Sequence, residues 1–393
     1  TIADLSTTVT HLSLDKMTYA EQYRLSNFSP TLRRIPMSDR QEIIKRLDGH
    51  PRAYEFLEVL LKNDTHLVWE NVALSIEKAE SQVVENLLLA KIYDRLSPDE
   101  QLLLQMASVF ITRTPLAALE HLNPPMGTAA LTTLSDWSLC FLDDNEHFEI
   151  HRLTREWVNL HKPPHDQRKV WAFKAGEYYE THSKNWVDKE LTKEYFEIAE
   201  EWEKFASVSF LLEGRYRFLG FYLKANQLMK LALDKNISEK SKGIAYNRMG
   251  LNLKEIGQFE TALNCYKKSL RIAQDNKSLS DEGSILNNIG QLYDAKGKYD
   301  LAIDYLNQSL QILQKIGDLK EQSIILNNLG TVYTKIDVEI ALQYLGKSLE
   351  LKIKIEDTVG IATVAHNMGV LAFNHNDWTN AILFIHMSYN VMN

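Results

Sequence analysis

Gly250-Leu251-Asn252-Leu253-Lys254-Glu255-Ile256-Gly257-Gln258-Phe259-Glu260-Thr261-Ala262 is followed 40 residues later by Gly290-Gln291-Leu292-Tyr293-Asp294-Ala295-Lys296-Gly297-Lys298-Tyr299-Asp300-Leu301-Ala302. The same frame returns twice more, from Gly330 to Ala341 and from Gly369 to Ala381, so the glycines step by 40, 40 and 39 and the alanines by 40, 39 and 40. A period of this size is one helix-turn-helix unit, and such units bury their apolar faces only by stacking. Glycine precedes alanine by 12 residues, or 11 in the third unit, which puts one small residue on each helix of a pair.

Other positions keep phase. Leu253, Tyr293, Tyr333 and Ala372 follow the glycines by three, and Phe259, Tyr299, Val338 and Trp378 precede the alanines by three. Gly257, Gly297 and Asn376 occupy the turn between the helices, where a left-handed residue ends the first one. The third unit has one residue fewer there. Asp318 with Glu321 three residues on, Asp357 and Asp377 are helix N-cap signals. This resembles the tetratricopeptide repeat in the long form of Pins-type and kinesin-light-chain scaffolds. The stock repeat has about 34 residues, so the second helix is expected to run longer.

The resemblance implies a groove lined by the first helices. Asn247, Asn287, Asn327 and His366 stand three residues before the glycines, and Arg248, Asn288, Asn328 and Asn367 two before. Of these, Asn247, Asn287, Asn288, Asn327, Asn328, His366 and Asn367 are the candidate groove residues, since an amide can both donate to and accept from an extended peptide backbone. The alternative is that the amides cross-link neighbouring helices. No basic ladder occupies these positions, so a clamp for a peptide carboxylate is not expected.

The chain has 393 residues, a formal net charge of -8 and 45% hydrophobic residues, which describes a multidomain globular protein without the basic footprint of a nucleic-acid binder. Cys140 and Cys265 make no disulfide framework, and a reducing cytoplasm is the default. No apolar run approaches a membrane span and no export signal opens the chain, so no membrane partner is expected. The first residue is Thr1 and the fourth unit stops inside its second helix, which suggests a piece of a longer protein.

Upstream, Ser13 to Tyr23 and Ser38 to Leu47 read as helices, the second opened by a Ser38/Gln41 capping box. Gly49-His50-Pro51 punctuates a helical hairpin leading into a helix from Arg52 to Lys62. Thr65 to Leu96 reads as further helix. Ser97-Pro98-Asp99-Glu100 is a strong helix start to about Phe110. Short helices at Pro115 to Leu122 and Thr128 to Trp137 follow, then a hairpin of Leu139 to Leu142 and Phe148 to Ile150 around Asp143-Asp144-Asn145-Glu146, then a helix from about Leu153. Three helices and a hairpin predict a winged helix. The helix at 128–137 contains no Lys or Arg, which argues against direct nucleic-acid binding. His147, Glu149 and His151 alternate on one strand face. With His161 and His165 nearby they could be read as metal ligands, but solvent-facing residues opposite a buried Phe148 and Ile150 are the simpler account, and no metal is expected. Trp171 to His182, Leu191 to Phe210 and Leu219 to Leu233 read as irregular helices joining this part to the array.

The order of parts resembles the C-terminal side of a STAND-class signalling ATPase (NB-ARC and NACHT type): Gly49-His50-Pro51, a winged helix, Ile150-His151-Arg152-Leu153-Thr154-Arg155-Glu156, then repeats. That resemblance implies that Pro51 packs on the adenine and His151 meets the β-phosphate of bound ADP; the alternative for His151 is a satisfied helix-cap histidine. The sequence departs from the class in having no G-x-x-x-x-G-K-[ST] loop. ADP or ATP is therefore expected only with an upstream NTPase domain, and this chain is not expected to be an enzyme. The fold class is mainly α: a helical domain (1–95), a winged helix (96–162), an irregular connector (163–242) and a tetratricopeptide α-solenoid (243–393). Expected partners are a protein or peptide in the groove and the upstream domain, with oligomerisation on activation possible. A stand-alone adaptor and a transcription activator of the same ATPase class are the competing readings.

Overall fold

The computed structural model describes residues 17–18, 21–22, 29, 31–47, 51–63, 81–124 and 130–392. Most of the expected helix from Ser13 to Tyr23, the Gly49-His50 half of the turn and all of 65–80 lie outside them. The chain forms two compact units, Thr1–Glu201 and Trp202–Asn393, the division falling inside the expected connector.

The first unit begins with α1 (Met37–Leu47), α2 (Pro51–Asn63) and α3 (Ser81–Tyr93). Ser38 lies inside the first turn of α1 and its Oγ donates to Asp39 at 2.9 Å, so the Ser38/Gln41 cap is not formed. Helix α4 (Pro98–Ala107) starts as its sequence dictates. Ser97 Oγ accepts from the Glu100 amide at 3.3 Å, Glu100 Oε2 accepts from the Ser97 amide at 2.7 Å, and Pro98 opens the helix, where a missing N–H costs nothing.

Strand β1 (Thr114–Pro115), α5 (Leu116–His121), α6 (Leu131–Asp136), β2 (Cys140–Leu142), β3 (His147–Ile150) and α7 (Arg152–His161) follow. The sheet is antiparallel in the order β1-β3-β2, with Cys140 opposite Ile150 and Thr114 opposite Phe148. The hairpin turn is closed by Asp143, whose Oδ1 accepts from the amides of Asn145 (2.9 Å) and His147 (3.0 Å). Strand β1 is a difference from the sequence reading: two residues carry no periodicity, and a proline fits an edge strand because that strand needs fewer donors. Phe148 and Ile150 are buried while Glu149 is exposed, and among the described residues no His/Cys/Asp/Glu group could hold a metal ion. Helices α8 (His165–His182) and α9 (Trp186–Ile198) complete the unit. Phe110 packs edge-on to both Phe148 (5.5 Å) and Tyr195 (5.9 Å), so one core joins sheet and helices.

The second unit is a mainly α, tetratricopeptide-like array of helix pairs. These are α10 (Trp202–Phe218) with α11 (Tyr222–Leu233), α12 (Glu239–Glu255) with α13 (Phe259–Asp275), α14 (Leu279–Ala295) with α15 (Tyr299–Ile316), α16 (Leu319–Tyr333) with α17 (Val338–Lys354), and α18 (Thr358–Asn374) with α19 (Trp378–Met392). The expected single helix from Leu191 to Phe210 is broken by Glu200 at φ 57°, and Gly220 (φ 79°) occupies the same turn as Gly257 (φ 77°) and Gly297 (φ 68°). Regular pairing thus starts at Trp202, one unit earlier than the glycine period indicates. The second helices of the four glycine units run 17, 18, 17 and 15 residues. At the turn between the helices of the shortened third unit no residue takes a positive φ. The Asp337 amide instead donates to the Tyr333 carbonyl at 2.8 Å, and the Asp337 side chain caps α17. Asp318, Asp357 and Asp377 each accept from the amide three residues on.

Each repeat glycine exists to let a side chain of its partner helix in. A Cβ at Gly250, Gly290, Gly330 or Gly369 would lie within 3.0 Å of Tyr266, Leu306, Leu345 or Ile385 respectively. Ala substituted at Gly290 would meet the Leu306 Cγ at 2.7 Å and should destabilise the chain by about 1–3 kcal/mol, the cost of overpacking. Gly346, inside α17 with nothing within 4 Å, should gain about 0.5–1 kcal/mol on the same change. Urea unfolding of the two variants should give midpoint shifts of opposite sign.

Candidate ligand groove and the Pro51–His151 site

Because the glycines hold each pair closely, the residues just before them on successive first helices come into register. Asn288 Nδ2 donates to Asn247 Oδ1 at 2.9 Å, Asn328 Nδ2 to Asn287 Oδ1 at 2.8 Å, and Asn367 Nδ2 to Asn327 Oδ1 at 2.9 Å. One bond per junction leaves capacity over. An amide has two donor hydrogens and two lone pairs, so each pair keeps a donor and an acceptor for another backbone. His366 is exposed and lies outside this pairing, although Asn367 beside it belongs to it.

Three cavities follow the ladder. One of about 310 Å³ is lined by Lys240, Ile244, Asn247, Arg248, Asp281 and Ser284. A second, about 480 Å³, is lined by Thr331, Lys335, His366, Asn367, Val370 and His375. The third, about 280 Å³, holds Ile324, Asn327, Lys352, Asp357 and Thr363. Lys352 is buried where the two earlier units carry Ala273 and Leu313. Its Nζ lies 2.6 Å from Asp357 Oδ2, and this bond, with the Gly360 amide, holds the Asp357 carboxyl below the usual carboxylate range.

The ladder begins at a substitution that period-reading passes over. Glu213 stands seven residues before Gly220, where Gly250 and Gly290 stand before Gly257 and Gly297. It is fully buried, pairs with Arg248 Nη1 at 2.5 Å and accepts from Asn252 Nδ2 at 3.0 Å, with Arg217 Nε 3.3 Å away. Arg248 Nη1 also donates to the Phe210 carbonyl at 2.9 Å. Glu213 and Arg248 therefore close the near end of the ladder with charge in place of an amide.

A second periodic set also escaped the sequence reading. Ser269, Ser309, Ser348 and Ser388 donate to the carbonyls of Gly243, Gly283, Ser323 and Ala362 at 2.7–2.9 Å, tying the second helix of each unit to its first. Their spacing of 40, 39 and 40 was the available signal.

In the first unit, the elements that carry the two nucleotide-site candidates bond to adjacent carbonyls, those of Ser138 and Leu139. Pro51 opens α2, and Arg52 next to it donates to the Ser138 carbonyl, pairs with Glu55 and stacks on Phe56 at 4.6 Å. The His151 amide donates to the Leu139 carbonyl at 3.4 Å, and His151 precedes α7 as its N-cap. Burial lowers the His151 pKa, the Arg52 charge lowers it further, and Glu55 opposes them. A helix N-terminus and a guanidinium attract anions, and here the Arg52 guanidinium is already engaged by Glu55 and the Ser138 carbonyl. The other histidines have local partners: His161 Nδ1 lies 2.9 Å from the Trp157 carbonyl and His165 Nε2 3.5 Å from Glu200.

Residues 241–315 and 281–354 match the family model described as tetratricopeptide repeat. No curated protein matches the chain. Among solved structures it is similar to BtubC from P. vanneervenii (16% identity, 59% of this chain and 92% of that one, TM-score 0.41). It is similar also to a Signal Transduction ATPase with Numerous Domains protein with a tetratricopeptide repeat sensor from Pyrococcus horikoshii (16% identity, 96% of this chain, TM-score 0.41), of whose length it spans 63%. Aspartyl phosphate phosphatase F from Bacillus subtilis matches at 13% identity over 87% of this chain and 94% of that one, with a TM-score of 0.43.

Arg248→Met leaves the buried Glu213 carboxylate without its main partner and should cost about 3 kcal/mol, the low end for a broken buried pair because Arg217 remains. Glu213→Gly combined with Arg248→Asn installs the residues of the later units and should recover most of that loss in denaturant unfolding. At His151, the depressed folded-state pKa means that its contribution is complete above the ordinary value of 6.5 and is lost as pH falls through the lower folded value. His151→Gln should flatten the rise of stability with pH just below 6.5, measured as urea midpoints across that range.

Proposed function

We propose that this chain is the ligand-sensing and autoregulatory part of a STAND-type NTPase switch. The tetratricopeptide array receives a protein or peptide, and residues 96–162, which we read as a winged helix, relay occupancy to a nucleotide-binding domain that this sequence does not contain. The observation that carries the reading is the asparagine ladder: a line of amides with spare donors and acceptors, running beside three cavities, suits an extended backbone whose side chains enter the cavities. The Pro51–His151 arrangement supports the nucleotide half. Pro51 and the start of α2 would hold the base and His151 with Arg52 the phosphates, ADP supplying only the charge that keeps these elements together. The α6 helix, Leu131–Asp136, carries no basic residue, which supports a relay rather than a DNA-reading role. A stand-alone repeat adaptor is the alternative and needs only the ladder.

In such a switch a ligand taking the closed state from 99:1 to 1:99 must favour the open form by about 5.5 kcal/mol. Peptides selected on this chain from a random display library should lose about tenfold or more in affinity for an Asn288→Ala, Asn328→Ala variant, because the remaining amides lose their alignment. Equal affinity for wild type and variant would remove the groove assignment. The nucleotide half is tested separately: in the full-length protein, His151→Ala should lower ADP retained through purification, and unchanged retention with unchanged signalling would leave the adaptor reading.

A further inference from the structure

The turn between α10 and α11 departs from its counterparts in the later units. Where it carries Phe221, they carry Gln258, Lys298, Asp337 and Asp377; where it carries Leu223, they carry Glu260, Asp300, Glu339 and Thr379. Phe218 replaces Glu255, Ala295 and Asn374 of the units whose turn keeps the same length. The result is an apolar tip in water: Phe218 is 89% exposed, Leu223 66%, Phe221 57% and Leu219 46%. Gly220, at its apex, has no heavy atom within 4 Å of the position a Cβ would take, as at Gly257 and Gly297, so nothing covers the turn on that side.

The charge carried by this stretch of sequence is of one sign. From Gly214 to Leu233 there is no Asp or Glu, and Arg215, Arg217, Lys224 and Lys230 fall in the same span. Lys224 Nζ sits 4.3 Å over the Tyr216 ring. On the next turn of the array, Glu255 pairs with Lys254 at 3.3 Å and Glu260 with Lys296. On a chain of net charge -8, and with Glu213 shared between Arg217 and Arg248, this stretch still carries a net positive collar around the exposed phenylalanines and leucines. A convex apolar knob needs either a matching cavity or a medium that yields. The boundary between headgroups and acyl chains yields, and anionic headgroups neutralise the collar.

We propose that the α10–α11 turn is an interfacial anchor that inserts Phe218 and Phe221 into an anionic lipid surface. The expectation of no membrane partner rested on the absence of a span and an export signal, and an interfacial contact requires neither. The anchor is independent of the groove and of the nucleotide site, so it stands if either of those assignments falls.

The test is co-sedimentation of the full chain with vesicles of phosphatidylcholine alone and of a phosphatidylcholine–phosphatidylserine mixture. Wild type should partition onto the mixed vesicles, more at low salt than at high, and little onto phosphatidylcholine. Phe218→Ser with Phe221→Ser should lower the bound fraction about tenfold, and Lys224→Glu about fivefold, with thermal melts unchanged because all three side chains are exposed. Absence of wild-type binding, or equal binding by the double variant, overturns the proposal. So does a self-associated species in the ultracentrifuge that the double variant abolishes while vesicle binding persists, which would assign the tip to a second copy of the chain.

Discussion

The array depends on one contact made four times. A first-helix glycine receives the flank of a large side chain from the second helix: Gly250 with Tyr266, Gly290 with Leu306, Gly330 with Leu345 and Gly369 with Ile385. Those side chains, apart from the last, are fully buried, and their depth sets how near the two backbones lie. The serine bonds from second helix to first-helix carbonyl, 2.7–2.9 Å, are reachable only at that separation.

Registration between units follows from closeness within them. Once each pair is rigid, the asparagines of neighbouring first helices meet at 2.8–2.9 Å, and the face they form is ordered before any ligand arrives. Preordering spares a ligand the entropy of aligning these side chains. The unit that lacks the glycine shows the same logic from the other side. Glu213 offers no such opening, and its carboxylate instead bonds Arg248 and Asn252 of the next first helix.

The repeats were legible because identity at a fixed step survives one missing residue. Gly257, Gly297 and Asn376 take the positive φ their types allow, and the Asp318, Asp357 and Asp377 caps form. Of the ladder, the residues could be named in advance, but whether they bonded each other was open, because an amide's partner depends on separation between helices, which spacing does not encode. Glu213 and the α10–α11 tip were missed for the opposite reason. They are departures from the period, and a reading tuned to recurrence ends where recurrence ends, which placed the start of the array at Gly243 instead of Trp202. In the first unit the contacts that matter join residues far apart in sequence, as Arg52 joins Ser138, and no local pattern announces such partners.

The two units also differ in how their chains must search for these contacts. In the second, the glycine and its partner lie 15 or 16 residues apart, and each helix pair closes a short loop before meeting the next. In the first, Arg52 bonds across 86 residues and Ile111 to Tyr195 across 84, so the sheet and its covering helices assemble only after nearly the whole segment is present. Closing long loops costs more entropy before any contact repays it. During synthesis from the N-terminus, the unit made first is therefore the slower to assemble, and the repeats behind it can nucleate pair by pair as they emerge.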